Sequence, residues 1–147
     1  MHKKRFLLLA GFAVLCVGSW WVIHQMGKAE AKVRVVSCMT NLRCIGQAIK
    51  SYRDQNGGSY PNSLQELYPK YLEDRKRLRC LADFTATSRE IGATSYLYFK
   101  PDGSTNATQI IARDKPGNHH GLNGYAVLYA NGETEWVSTN TMAEARK

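Results

Sequence analysis

Residues Lys28–Gln55 read KAEAKVRVVSCMTNLRCIGQAIKSYRDQ, and this stretch decides the fold. It contains no proline, and Gly46 is its only interior glycine. Apolar residues recur at Val35, Cys38, Leu42, Ile45, Ile49 and Tyr52, in alternating steps of three and four. That spacing lays one stripe along an α-helix and leaves Arg43, Lys50, Arg53 and Asp54 on other faces. The stripe predicts a helix over residues 28–56 that packs one side against a partner layer, with Val35, Leu42, Ile45, Ile49 and Tyr52 making the contact. Gly57-Gly58 supplies the stop, since glycine readily takes the left-handed conformation past a helix end.

Working towards the N-terminus, Phe6–Ile23 carries no charged residue and follows Lys3-Lys4-Arg5. Its eighteen residues span about 27 Å as a helix, against a bilayer core of about 30 Å. Phe6, Leu9, Phe12, Leu15, Trp20, Trp21 and Ile23 are therefore expected to anchor the chain in a membrane. Trp20 and Trp21 fall where aromatic rings favour the interface, and the basic cluster stays on the cytoplasmic side. Ala29-Glu30-Ala31 offers the rival reading of a removed signal segment, although the apolar block exceeds the usual length of about 7–15 residues. Both readings export the remainder. The expected organisation is residues 1–27 as basic stub and anchor, and residues 28–147 as an exported domain.

Working towards the C-terminus, Ser63-Leu64-Gln65-Glu66 fits a capping box, with Ser63 accepting from the Glu66 amide. It opens a short helix that Pro69 curtails, within a loop-and-helix region at residues 57–80. Tyr68, Tyr71 and Leu72 are expected to pack it onto the first helix. The pattern then changes period. Thr94–Phe99, Gln109–Arg113, Tyr125–Ala130 and Glu133–Val137 read as strands, placing a sheet at residues 91–138. Asn131-Gly132 between the last two predicts a hairpin with a type I′ turn, which needs positive φ at both central residues. The fold class is α+β: a long N-terminal helix, half membrane and half amphipathic, on an antiparallel sheet of three or four strands.

The cysteines are Cys16, Cys38, Cys44 and Cys80. Cys16 lies in the apolar block, whereas the other three face an oxidising compartment if the domain is exported. Spacing alone leaves the pairing open. Cys38 lies on the buried stripe and Cys44 on a flank, so Cys38–Cys80 is the preferred disulfide.

The 147-residue chain carries 20 Lys and Arg against 12 acidic residues, a formal charge of +8, with 44% apolar residues. Those values exclude wholesale disorder and a polytopic membrane protein. Arg75, Lys76, Arg77 and Arg79 form a basic cluster that would contact a polyanion, with tyrosines as stacking partners. Asp114, His119, His120, Glu133 and Glu135 are the one group suggesting metal or acid–base chemistry. The histidines sit in a Gly/Asn-rich loop without a second ligand pair at fixed spacing. No catalytic residue, metal site or cofactor is therefore expected, and the chain reads as a non-enzyme.

Several of these segments occur together in one family. Gly11-Phe12, CMTNLRCIGQAIKSYRDQNGGSYP (38–61), SLQELYPKYL (63–72), a later cysteine, SYLYF (95–99) and HHGLNGYAVLYANGETEWV (119–137) follow in order. The set resembles type II secretion pseudopilins, and more closely pseudopilin-like exported proteins. Cys16 stands where that family carries a glutamate, and Asn131-Gly132 where it carries Asp-Gly. The resemblance implies a pilin-like fold and a single-pass protein of the bacterial inner membrane, its domain in the periplasm or outside the cell. It implies action through protein contacts in a secretion, pilus-type or envelope system, with other pilin-like or secretion proteins, or further copies of itself, as partners. The alternative is an exported minor-pilin-like protein that binds DNA or another polyanion, and nucleic acid stays open as a partner on that account.

Overall fold

A computed structural model describes residues 2–83, 93–103, 106–119 and 122–139, with the side chains of residues 2–14, 24, 28 and 29 left outside the description. Helix α1 covers His2–Gln55. Four strands follow two short 3₁₀ turns: β1 (Tyr96–Tyr98), β2 (Ile110–Asp114), β3 (Gly124–Tyr129) and β4 (Thr134–Ser138). They form one antiparallel sheet in the order β1-β2-β3-β4. The chain is α+β, with one long N-terminal helix and a four-stranded antiparallel sheet. It divides into two compact units, Met1–Val33 and Arg34–Lys147.

The first unit is helical. Leu15, Val17, Trp20, Trp21, Val22 and Ile23 are 50–70% exposed. Phe6, Leu9 and Phe12 lie outside the described side chains. Among the described residues, no helix is long and apolar enough to cross a membrane.

In the second unit the helix is one-sided. Cys38, Leu42, Ile45, Ala48 and Ile49 are buried and Tyr52 is half-buried against the same core, whereas Val35, expected on the same contact, is half-buried without joining that core. The helix ends as its glycines dictate. Gly57 and Gly58 take positive φ, and the Gly58 amide donates to the Arg53 carbonyl at 2.9 Å, satisfying a carbonyl the terminating helix would orphan. Arg53 then donates through Nε to the Gly58 carbonyl and lays its guanidinium over the Tyr60 ring.

Leu64, Leu67, Leu72 and Leu78 fill the core from the connecting segment. The expected short helix is a 3₁₀ turn, Leu64–Leu67. Its cap differs from the expected box: Ser63 makes no side-chain cap bond, and Glu66 Oε2 accepts from the Asn62 amide instead. Glu66 also accepts from the Tyr52 hydroxyl, which ties the turn to α1. Tyr71 meets Tyr52 edge-on at 5.2 Å and Leu72 is buried, whereas Tyr68 is exposed.

The sheet lays β2 and β3 across the helix. Ala112, Ala126 and Leu128 enter the core, and the close approach is made at Gly46, where a Cβ would sit 2.9 Å from Leu128 Cδ1. A bulge interrupts β2: Ile110 opposes Tyr129 and Ala112 opposes Leu128, leaving Ile111 extra. An inserted residue breaks strict alternation, so Ile111 and Ala112 are both buried. Alternation then resumes, and Asp114 is buried with Ala112.

The β3–β4 hairpin forms at Asn131-Gly132 with a different turn. Only Gly132 has positive φ (89°), and no non-glycine residue does among those described. The Gly132 amide donates to the Tyr129 carbonyl, and Asn131 Oδ1 accepts from the Glu133 amide. The result is a three-residue loop with glycine at its left-handed position, rather than a type I′ turn. The side-chain bond of Asn131 settles its backbone without the left-handed conformation.

Candidate functional site

Four chemically capable side chains converge inside the second unit: Cys38, Cys80, Asp114 and His119. Each comes from a different element. Cys38 lies on the buried face of α1, one turn before Leu42. Cys80 follows the second 3₁₀ turn, Arg75–Leu78, which Asp74 caps by accepting from the Lys76 amide. Asn41, also on α1, holds that segment in place: its amide donates to the Arg79 carbonyl at 2.9 Å, and its oxygen accepts from Arg77. Cys38 and Cys80 are joined as a disulfide with Cα atoms 5.3 Å apart. Cys16 and Cys44 are free.

Asp114 ends β2 on its inward face. Oδ2 accepts from the Ala126 amide at 3.0 Å, in place of a ladder partner. Its other oxygen, Oδ1, is buried without a hydrogen-bond partner among the described residues. Tyr96 stands directly opposite in the β1–β2 register and is buried too. Burial, with a smaller contribution from the nearby Asp114 charge, pushes the Tyr96 phenol up and keeps it neutral.

His119 returns to Asp114 through a reversal written in the sequence. Lys115-Pro116-Gly117-Asn118 closes with an Asn118 amide to Lys115 carbonyl bond, and Gly117 has a φ of 89°. Proline followed by a left-handed glycine is the type II turn pattern. Asn118 is buried and donates to the Ser95 carbonyl at 2.9 Å, which ties this loop to the start of β1. His119 Nε2 thereby lies 3.1 Å from Asp114 Oδ2 and 3.5 Å from Cys80 Sγ. A carboxylate only accepts, so the bond to Asp114 places a proton on Nε2. The imidazole also meets the Trp136 ring edge-on at 5.2 Å.

Trp136 occupies space that a side chain on Gly124 would need, because a Cβ there would fall 2.6–2.7 Å from the indole. Gly124→Ala is expected to push the ring aside and destabilise the unit by about 1–3 kcal/mol. Chemical denaturation measures the loss, and near-ultraviolet circular dichroism should report the altered indole. An unchanged midpoint would mean the ring relocates freely.

A cleft of about 400 Å³ opens beside the cluster, with Asp114, His119, Lys115, Asn118, Leu122 and Tyr125 among its walls. His119 is thus buried, but borders a space that small solutes can enter.

The remaining sequence candidates go elsewhere. Glu135 accepts from the Tyr129 hydroxyl and Glu133 from Asn131, both exposed, and neither joins Asp114. His120 lies outside the described residues. Arg75 and Lys76 are exposed, while Arg77 and Arg79 are half-buried and Arg77 is committed to Asn41. The four cations therefore do not present a uniform comb. The cysteine pair and the Asp114–His119 combination are each legible in the sequence, but as separate features. The Pro116-Gly117 turn was the legible signal that the histidine folds back on its aspartate.

The fold and site define a class: an antiparallel meander backed by one helix face, with a disulfide, an aspartate and a histidine buried at their junction. Comparisons with family models, curated proteins and solved structures find no match for this chain.

Proposed function

We propose that the chain is a membrane-anchored, pseudopilin-like structural protein that acts through protein contacts rather than turnover. The observation carrying this reading is the division of labour along α1. Past Arg34 the helix buries one face under its own sheet, whereas Leu15–Ile23 presents large apolar side chains at 50–70% exposure. Apolar surface on that scale calls for an apolar surrounding. With the uncharged run from Phe6 and the basic Lys3-Lys4-Arg5 before it, a bilayer of the bacterial inner membrane is the surrounding of choice. The second unit then lies in the periplasm or outside the cell, where a buried disulfide persists. Its partners are other pilin-like or secretion-system proteins, or further copies of the chain.

Membrane fractionation tests this. The full chain is expected to stay with membranes through alkaline carbonate extraction, and a chain lacking residues 1–27 to be released. N-terminal sequencing of the mature protein discriminates further. A soluble product beginning at Lys32 would replace the anchor with a removed signal, and release of the full chain by carbonate would overturn the reading. Polyanion binding draws less support, since Arg77 serves the Asn41 bridge. Retention on DNA that weakens with rising salt would be its signature.

A further inference from the structure

We propose that Cys38, Cys80, His119 and Asp114 form a redox-gated site for a divalent transition metal, closed while the disulfide is intact and opened by its reduction. One sulfur from each cysteine, one imidazole nitrogen and one carboxylate oxygen all lie within 4.8 Å of one another. Two thiolates, an imidazole and a carboxylate are a donor set suited to tetrahedral zinc.

Two of the six edges between the donor atoms are close to what zinc requires. With Zn–S of about 2.3 Å and Zn–N and Zn–O of about 2.0–2.1 Å, a tetrahedron has an N···O edge of about 3.3 Å and an N···S edge of about 3.6 Å. The structure sets His119 Nε2 3.1 Å from Asp114 Oδ2 and 3.5 Å from Cys80 Sγ. The edge between the two sulfurs is too short for a tetrahedron, because they are covalently bonded. Breaking that bond frees it to open to the roughly 3.8 Å of a tetrahedron. A separate observation points the same way. Asp114 Oδ1 is fully buried and unpartnered among the described residues, and a buried acceptor without a donor is costly. A cation held at Oδ2 would neutralise the carboxylate to which this orphan oxygen belongs. The adjoining cleft, bordered by His119 and Asp114, provides an entry path.

The steps balance. A dithiol reductant gives two electrons and two protons to the Cys38–Cys80 bond, yielding two thiols and leaving the reductant as a disulfide. The metal ion then displaces both thiol protons to solvent, and His119 gives up its Nε2 proton to the other ring nitrogen through solvent as Nε2 turns to the metal. Reoxidation forms the sulfur–sulfur bond, delivers two electrons to an acceptor disulfide that takes two protons from solvent to become a dithiol, and expels the ion.

The test uses the full-length chain with Cys16→Ser and Cys44→Ser, so that the pair supplies the only thiols. It is reduced with dithiothreitol, desalted without oxygen and titrated with Co²⁺. The reduced chain should take up one equivalent, with the intense visible bands and thiolate charge transfer of a tetrahedral site. The oxidised chain should bind at least about 100-fold more weakly. His119→Gln and Asp114→Asn should each weaken reduced-state binding more than about tenfold. Asp114→Asn preserves an acceptor for the Ala126 amide, so it reads the site should His119→Gln fail to fold. No uptake by the reduced chain, equal uptake by the oxidised chain, an octahedral spectrum, or loss of the native far-ultraviolet spectrum in the loaded form would each overturn the proposal. So would an unchanged affinity in Asp114→Asn.

Discussion

Replacing Cys38 and Cys80 together by alanine is expected to destabilise the Arg34–Lys147 unit by about 4 kcal/mol, the largest effect of any change considered for this chain. The disulfide closes a segment with a sequence separation of 42 residues. Loop-closure entropy removed from the unfolded ensemble accounts for that magnitude. Set against a total stability of about 5–15 kcal/mol for an ordinary domain, the loss approaches the threshold of folding. The thermal midpoint should fall by about 15 °C. Cys44→Ala is the control, since Cys44 is free and half-buried on the flank of α1. A double variant melting with the parent would show that the cross-link does not close in solution. The metal proposal adds a second arm. The reduced parent should melt earlier than the oxidised one and regain part of the difference with zinc, whereas the double alanine variant should not respond.

The second large effect concerns the face of α1. Leu42 is fully buried between the helix and the layers it supports. Leu42→Ala should cost about 3 kcal/mol, combining lost transfer energy with an unfilled cavity. Val36, on the same helix, is 63% exposed, and Val36→Ala should change stability by less than about 0.5 kcal/mol. Urea midpoints at constant slope measure both. Equal costs at the two positions would mean that the helix is not one-sided, and the architecture derived from its stripe would fail. The contrast requires the Arg34–Lys147 unit to be monomeric, because a partner covering Val36 raises its cost too.

The two effects act on one core by different routes. Leu42 acts through packing alone. The cysteine pair acts through chain entropy and, in the metal reading, through chemistry, because the bond that stabilises the oxidised fold is the one that keeps the metal site closed. A single buried cluster would then report the redox state of its compartment by exchanging a covalent bond for a bound ion.

Much of the architecture was legible because it rests on local terms. The three-and-four spacing of Cys38, Leu42, Ile45 and Ile49 follows from helix geometry. The Gly57-Gly58 stop follows from glycine's access to positive φ, and the antiparallel strands from a change in period. Where local signals misled, side-chain hydrogen bonds intervened. Asn131 bonds to the Glu133 amide and so avoids the conformation a type I′ turn needs, and Glu66 reaches Asn62 rather than closing a box with Ser63. The basic run Arg75, Lys76, Arg77 and Arg79 reads as one cluster that would contact a polyanion. Asn41, more than thirty residues earlier, takes Arg77 for itself.

From residue order alone came the helix, its buried face, its stop, the strands and the choice of Cys38 over Cys44 as the bonded partner of Cys80. Periodicity and turn chemistry encode these within a few residues. The meeting of that disulfide with Asp114 and His119 was decided only by tertiary structure. It depends on a bulge at Ile111 that returns Asp114 to the inner face, on the reversal at Pro116-Gly117, and on the packing of four separate elements. Strand register and long-range packing are set by the free energy of the whole core, and no short window of sequence contains it.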